Sequence, residues 1–500
     1  MTVPAEMTAQ QAASQPEFAA LEGHLIDGVI VPAQAGRSFP VLNPATGQAV
    51  GQAARGDAAD VDAAVAAAAR GQAGWAALPA RERGRLVSAS AARLLENKER
   101  IARLLAMETG KAIRTECRPE VVTAADILSF YGGLGSELKG ETLPFRPDVL
   151  SITTREPLGV VGAILPWNVP LVLMMLKIAP ALVAGNTVVV KSAEEAPFAT
   201  LEAGRLMAEL LPPGVVNVVS GFGEDCGAPL VAHPRVAKIT FTGSQPVGEI
   251  IYGAAAARII PVTLELGGKS PMIVMPDADL DRAIAGAVAG MRFTRQGQSC
   301  TAASRIYVHA DIYDRFLDGL EQAVRALRIG DPLDEATDIG TVISTEQKQR
   351  IDAYVAIGRD TPGARAIECG ALPTDPALDP ALFAVPMLFA GLPEDSPVMR
   401  EEIFGPVAAV VPWDDYEAVI AAANDSDFGL AASVWTNDLS RALDATKRLN
   451  AGYVQVNQNL TIQPNLSYGG FGKSGLGKEA SLEAMLEHFT RKKTIVFAAV

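Results

Sequence analysis

The run LGVVGAILPWNVPLVLMMLKIAPALVAGNTVVVKSAE, residues 158–194, decides the fold. Its first segment, LGVVGAIL, is a short apolar run rich in β-branched residues and reads as a buried strand. LVLMMLKIAPALVA has the length of a helix and stops at Gly185-Asn186, a good helix end. TVVVK is a strand again. The alternation continues outward: FATLEAGRLMAELL as helix, GVVNVVS as strand, a glycine-rich turn, a short helix, then KITFTG as strand. Strands that alternate with helices make a parallel sheet covered on both faces. After TLELGGKSP the alternation resumes with MIVM, a helix leading to Cys300, and RIYVH. This second run reads as another α/β domain beginning near residue 270. Upstream, DVDAAVAAAARGQAGWAAL and RLVSASAARLLENKERIARLLAMET read as helices, and PDVLSITTREPLG as an extended arm.

Five hundred residues are ample for two or more core-bearing domains, and 49% hydrophobic with 20% charged residues is an ordinary globular balance. A formal charge of -14 argues against a nucleic-acid surface and against an anionic membrane. Four cysteines, Cys117, Cys226, Cys300 and Cys369, lie far apart with no CxxC spacing. That fits free thiols in a reducing compartment and no metal site, and the scattered histidines agree. Residues 1–19 lack the basic region and apolar core of a signal peptide and contain no arginine, so they read as a loose lead. Gly, Pro, Asn or Lys breaks each apolar run before membrane-spanning length, so the chain is expected to be cytoplasmic.

Several residues could carry chemistry. RQGQSCTAAS, residues 295–304, puts Cys300 among small polar residues at a helix-to-strand junction, whereas a packing cysteine belongs among Leu, Ile and Val. GFGEDCG sets Gly221, Gly223 and Gly227 between a strand and a helix, a place for a dinucleotide phosphate. Its GxGxxxG spacing is not the standard one, and an ordinary strand-to-helix turn reads the same way. FTGSQPVG puts Gly243 and Ser244 at a helix N-terminus, where backbone N–H groups favour a phosphate. In KSAE, Lys191 and Glu194 are either a surface ion pair or a ribose site, the carboxylate accepting both hydroxyls. All three follow successive strands, so all can share one sheet edge, where ligands bind in open α/β sheets. Asn168 in ILPWNVP is either a helix cap or an amide aimed into a cleft as an oxyanion donor. Glu265 in LELGGKSP is either a capping or paired group or, facing a dry cleft, a general base.

Together PWN, KSAE, FTGS, LELGGKSP, GQSC, EEIFGPV and GGFGKSGLGKE, with NPATG and ETGK upstream, resemble the aldehyde dehydrogenase superfamily. Order and spacing agree from about residue 20 to the C-terminus. The resemblance implies an acid-forming, NAD(P)-dependent enzyme, with NAD as cofactor and NADP as the alternative. It implies an α/β fold of three parts: a Rossmann-like cofactor domain over 20–136 and 158–269, a catalytic domain over 270–468, and an arm from 137–157 and 469–500. Such an arm bridges a homo-oligomer, a dimer or tetramer. Cys300 matches the nucleophile that forms a thiohemiacetal and then a thioester. Its ordinary thiol pKa of roughly 8.5 leaves little thiolate at neutral pH, so local donors or a base must help. Asn168 matches the oxyanion donor, Glu265 the base that activates water, and Lys177 with Glu479 a proton relay around it. Cofactor contacts are implied at Ile164, Trp167, Lys191, Glu194, Gly223, Gly227, Phe241, Gly243, Ser244, Val247, Leu266, Glu402 and Phe404.

The resemblance also implies a substrate tunnel. Val169, Leu173 and Leu176 share one face of the helix after Asn168, with Ile462 and Tyr468 opposite. None of the five is charged, and Val and Leu stand where several relatives carry aromatics or methionine. The expected substrate is therefore a medium-to-large apolar aldehyde, aromatic or branched aliphatic. Arg292 and Arg295 are expected to face a subunit contact or solvent; if either reaches the tunnel, a carboxylated semialdehyde becomes the alternative. A CoA-acylating relative is a further alternative, opposed by Glu265, whose base function serves hydrolysis. A cysteine hydrolase would need a histidine beside Cys300, and only His309 is near it in sequence.

Overall fold

The computed structural model describes residues 16–144, 146–459 and 462–498. The apolar runs around residue 160 form five parallel strands at the centre of an eight-stranded sheet. Across that sheet lie Val29–Val31, His24–Ile26, Val216–Val219, Thr187–Lys191, Val160–Ile164, Val236–Thr242, Val262–Glu265 and Gly475–Leu476. From Val160–Ile164 the chain winds outward through two strands on one side. It then crosses to Val236–Thr242 and Val262–Glu265 on the other side. The winding reverses between Val160–Ile164 and Val236–Thr242, and a crevice opens there beyond the strand ends. Register aligns those ends: Ile164 pairs with Lys191 and with Phe241, Lys191 with Val219, and Thr242 with Glu265.

The helix Pro170–Val183 is buried along its whole length. It lies under the helices Ala80–Glu96 and Arg118–Gly133, so it has no polar face to show. Gly185, at φ +98°, ends it in a conformation that disfavours side chains. Trp75 and Arg83 reach in from other helices and donate to the carbonyls of Leu182 (3.0 Å) and Val183 (3.1 Å). Asn186 then ties three segments together. Its Oδ1 accepts from the N–H groups of Leu158 (2.7 Å) and Gly159 (3.0 Å), and its Nδ2 donates to Ala181 (3.0 Å) and Phe489 (2.9 Å).

A second sheet has the order Arg365–Glu368, Met387–Ala390, Val407–Trp413, Arg305–His309, Pro271–Val274, Ala431–Trp435 and Tyr453–Val456. All its pairings are parallel except the one at the Arg365–Glu368 edge. The strand Thr490–Ala498 pairs antiparallel with Val149–Pro157 as a separate two-stranded arm. Two expectations need adjustment. Residues 1–15 of the loose lead lie outside the described residues, but Pro16–Ala19 is helical. Phe18 is fully buried there against Phe198, because its ring supplies apolar area to the core. Residues 475–476, expected in the arm, instead hydrogen-bond into the first sheet beside Leu264 and Glu265.

Asn186→Ala should lower the unfolding free energy by about 3 kcal/mol or more, since it leaves several buried backbone groups without partners. Chemical denaturation of the variant checks this, and an unchanged midpoint would show that the asparagine does not hold these segments.

Candidate active site

The two sheets meet end to end. The chain leaves the first sheet at Glu265, crosses through residues 266–270, and enters the second at Pro271. The C-terminal row of the first sheet therefore faces loops at the N-terminal ends of the second. Between them lies a cavity of ≈ 740 Å3 lined by Trp167, Asn168, Gly243, Ser244, Leu266, Gly267, Cys300, Glu402 and Phe404, among others. Both crossing glycines are closely approached. A Cβ on Gly267 would press on the Glu402 carboxylate, and one on Gly268 would sit 2.5 Å from the Cys300 backbone carbonyl oxygen, which leaves no room there.

Cys300 is the half-buried thiol at this crossing, and the other three cysteines are buried. Burial pushes its pKa up to about 11, against the opposing hydrogen bond with the Tyr468 hydroxyl at 3.5 Å. Asn168 is 5% exposed and directs Nδ2 toward the Gln298 carbonyl at 3.2 Å, which leaves its second amide hydrogen for another acceptor. Beneath it lies a buried ion pair of Lys111 and Glu120. Lys111 donates to the Asn168 carbonyl (2.8 Å), and Glu120 accepts from the Leu171 N–H (2.9 Å). The pair fixes the turn that aims Asn168. Lys111 belongs to the ETGK motif, and that was its only sequence signal.

Glu265 is 3% exposed, and neither carboxylate oxygen has a partner among the described residues. Burial, then the nearby charge of Glu479, raises its pKa well above the carboxylate range, with Lys177 and Lys478 opposing. Gly469 approaches so closely that a Cβ there would lie 2.7 Å from Glu265 Oε1. Behind it, Glu479 accepts from Lys177 Nζ at 2.7 Å and from Thr240 Oγ1 at 3.3 Å. The fully buried Lys238 lies two residues before Thr240 on the same strand face. It has no hydrogen-bond partner among the described residues, and burial pulls its pKa down to about 7. Sequence reading missed Lys238 and Thr240, although polar residues alternating along a buried strand, as in KITFT, were a usable signal.

The cavity fits a dinucleotide. Glu402 accepts from the Gly268 N–H (2.9 Å), and burial raises its pKa to about 7. Trp167 and Phe404 meet edge to face with ring centroids 5.4 Å apart. The Thr242 hydroxyl, beside Gly243 and Ser244, is buried without a partner among the described residues. Ile164, Lys191 and Phe241 stand in the row of strand ends next to the cavity, and Lys191 pairs with Glu194 at 2.6 Å. Of the expected contacts, Ile164, Lys191, Glu194, Gly223, Gly227, Phe241 and Val247 are not among the residues that line the cavity. Gly223–Gly227 is a short helical turn after the parallel strand Val216–Val219, and Val247 is 44% exposed on the helix Gln245–Arg258.

Of the expected tunnel residues, Leu173, Leu176 and Tyr468 belong to one buried apolar cluster, at 3%, 1% and 2% exposure, and Val169, Ile462 and Cys300 pack against that cluster. The arginines do not face solvent. Arg295 donates to Glu116 at 2.7 Å, both groups being buried. Arg292 turns inward to the Asn459 carbonyl at 3.3 Å. Helix Leu280–Met291 ends at Arg292 in a left-handed turn, φ +58°, that folds the next residues back against the core. The expectation of a wholly uncharged site is therefore corrected. His309 meets Trp413 edge to face with ring centroids 4.8 Å apart and makes no pair with Cys300.

Residues 30–495 match the model of the aldehyde dehydrogenase family. The chain is 41% identical over 462 residues to the hydroxyisobutyraldehyde dehydrogenase of Mycolicibacterium austroafricanum, covering 92% of this chain and 90% of that protein. It is 39% identical over 473 residues to the betaine aldehyde dehydrogenase of Brucella melitensis, covering 94% and 96%. The NAD+ complex of the Bacillus cereus aldehyde dehydrogenase superimposes with a TM-score of 0.92 at 35% identity, covering 98% of this chain and 99% of that one.

A thiol pushed up to about 11 is mostly protonated at neutral pH. Iodoacetamide should therefore label Cys300 before the three buried cysteines, at a rate rising about tenfold per pH unit from 7 to 10. Peptide mass mapping checks both, and a rate that levels off below pH 8 would show a thiolate already formed.

Proposed function

Because the chain belongs to the aldehyde dehydrogenase family, we propose that it oxidises an aldehyde to its acid with Cys300 as nucleophile and Glu265 as base. The observation that carries this reading is the meeting, at one crossing, of a half-buried thiol, an aimed amide and a buried carboxylate with both oxygens unpartnered.

Cys300 sulfur bonds to the aldehyde carbon as the thiol proton is lost to solvent, and the negative charge passes to the aldehyde oxygen. The oxygen that gains charge is held by the Asn168 amide, with the Cys300 backbone N–H. Bound NAD(P)+ supplies the acceptor for the hydride that leaves the carbon. Trp167, Gly243, Ser244, Glu402 and Phe404 would hold the cofactor, with Lys191 and Glu194 at its ribose. Water then attacks the thioester carbon, Glu265 takes the water's proton, and the carbon–sulfur bond breaks to release the acid and return the Cys300 thiolate. Lys177 and Glu479 stand behind it to pass that proton on. A buried base here supports acid formation over transfer to CoA. The apolar body of the aldehyde rests against Val169, Ile462 and the Tyr468 ring.

Oligomerisation through the arm completes the reading. Leu150, Val496 and Phe497 are about half exposed on that two-stranded sheet, which supports pairing with another copy. Among the described residues no helix is long and apolar enough to cross a membrane.

Cys300→Ala should abolish NADH formation. In the parent enzyme turnover should rise with pH above neutral, because Glu265 is protonated until its raised pKa is passed. Glu265→Gln should cut turnover by about 100-fold or more and lose that rise. Stopped-flow and steady-state kinetics across pH decide, and normal turnover in either variant overturns the assignment.

Glu194, paired with Lys191 at 2.6 Å, would accept the ribose hydroxyls and repel a 2′-phosphate. NAD+ should exceed NADP+ in kcat/KM by about tenfold or more, and Glu194→Gln should narrow the gap. A clear NADP+ preference in the parent enzyme would contradict the ribose assignment.

A further inference from the structure

The loop between helix Leu280–Met291 and Cys300 carries two guanidinium groups whose situations differ. Arg295 is neutralised by Glu116, which also accepts from Thr294 Oγ1. Although burial opposes it, Arg295 holds the Glu116 carboxyl below the usual range, as a buried pair requires. Arg292 has no carboxylate within ion-pair distance among the described residues. Its one protein hydrogen bond there, to the Asn459 carbonyl, uses one of five donors. Burial, and then the charge of Arg295, pulls its pKa down to about 10, still well above neutral pH. A full positive charge therefore stands in a partly desolvated place without a counter-ion, an arrangement that costs free energy unless something else supplies the negative charge.

Its neighbours place it on the substrate side of the thiol. Arg292 lines a small cavity together with Thr301, the residue after Cys300, and Asn459. The titratable groups that face it are Arg295, Glu116, Tyr453, Tyr468 and Cys300. Tyr453 and Tyr468 meet edge to face at 5.8 Å, and the Tyr468 hydroxyl reaches the thiol. None of Arg292, Tyr453 and Tyr468 lines the cofactor cavity, whose lining includes Cys300. The guanidinium thus stands outside the lining of the cofactor cavity, one small cavity away from Thr301 and within reach of the charges at Cys300 and Tyr468.

We propose that Arg292 binds a carboxylate at the far end of the substrate, so that the enzyme selects aldehyde acids over neutral or cationic aldehydes. The planar fork of a guanidinium suits a carboxylate, and the unbalanced charge repels a quaternary ammonium such as that of betaine aldehyde. The proposal rests on the assignment of Cys300 as the nucleophile.

The test compares succinic and glutaric semialdehyde with the unbranched alkanals of the same length, and with betaine aldehyde, in the parent enzyme, Arg292→Gln, Arg292→Lys and Cys300→Ala. In the parent enzyme at least one aldehyde acid should exceed its alkanal in kcat/KM by about tenfold or more, mainly through a lower KM. Betaine aldehyde should be the poorest substrate. Arg292→Gln should reduce the acid-to-alkanal ratio by about 30-fold, and Arg292→Lys should restore part of it. If both alkanals or betaine aldehyde match the acids in the parent enzyme, or if Arg292→Gln lowers every substrate alike, the proposal is overturned. If Cys300→Ala retains activity on any of them, it is the underlying reaction assignment that fails.

Discussion

The short pairing of Leu264–Glu265 with Gly475–Leu476 is the contact on which the site depends. It fixes the last parallel strand of the first sheet at the point where the chain crosses to the second. It also anchors the segment that returns Tyr468 to the thiol and Glu479 to Lys177. The Leu266 N–H donates to Ser474 (2.9 Å) and the Gly243 N–H to Glu265 (3.1 Å), so the cofactor loop and the crossing share one hydrogen-bonded frame. The crossing itself has no room for a side chain at Gly268. Moving Glu265 by a residue would shift the carboxylate, Glu402 and the Cys300 loop together.

The buried charges around this frame divide into two kinds. Lys111 with Glu120, Lys177 with Glu479, and Arg295 with Glu116 are paired at hydrogen-bond distance. Each holds neighbouring structure, and breaking one partner would strand the other. Glu265, Lys238 and Arg292 have no such partner among the described residues. Desolvation without a counter-charge pushes a carboxylate up and a cation down, toward the range in which protons move at physiological pH. For Glu265 that shift suits a base, whereas Arg292 stays charged and offers its field instead.

Much of this was legible in the chain. Runs such as LGVVGAIL and TVVVK read as buried strands of a parallel sheet, and the KSAE, GFGEDCG and FTGS turns that follow successive strands were expected along one edge of it. Periodicity could not show which side chains turn inward from an irregular loop. Arg292 and Arg295 look equally solvated in the sequence, yet Glu116, nearly 180 residues upstream, neutralises one and not the other. Leu173 and Leu176 share a helical face, and the helix that carries them is buried along its whole length. Gly223, Gly227 and Val247 were assigned through motif neighbours and are not among the residues that line the cavity.

The central claim is that one thiol at the crossing carries the acyl group until Glu265 releases it. Intact-protein mass spectrometry of Glu265→Gln, mixed with NAD+ and an aldehyde the parent enzyme oxidises, tests it most directly. The account predicts a single added acyl mass that maps to the peptide containing Cys300 and is absent without NAD+. An unmodified protein, or an adduct on another residue, would contradict it.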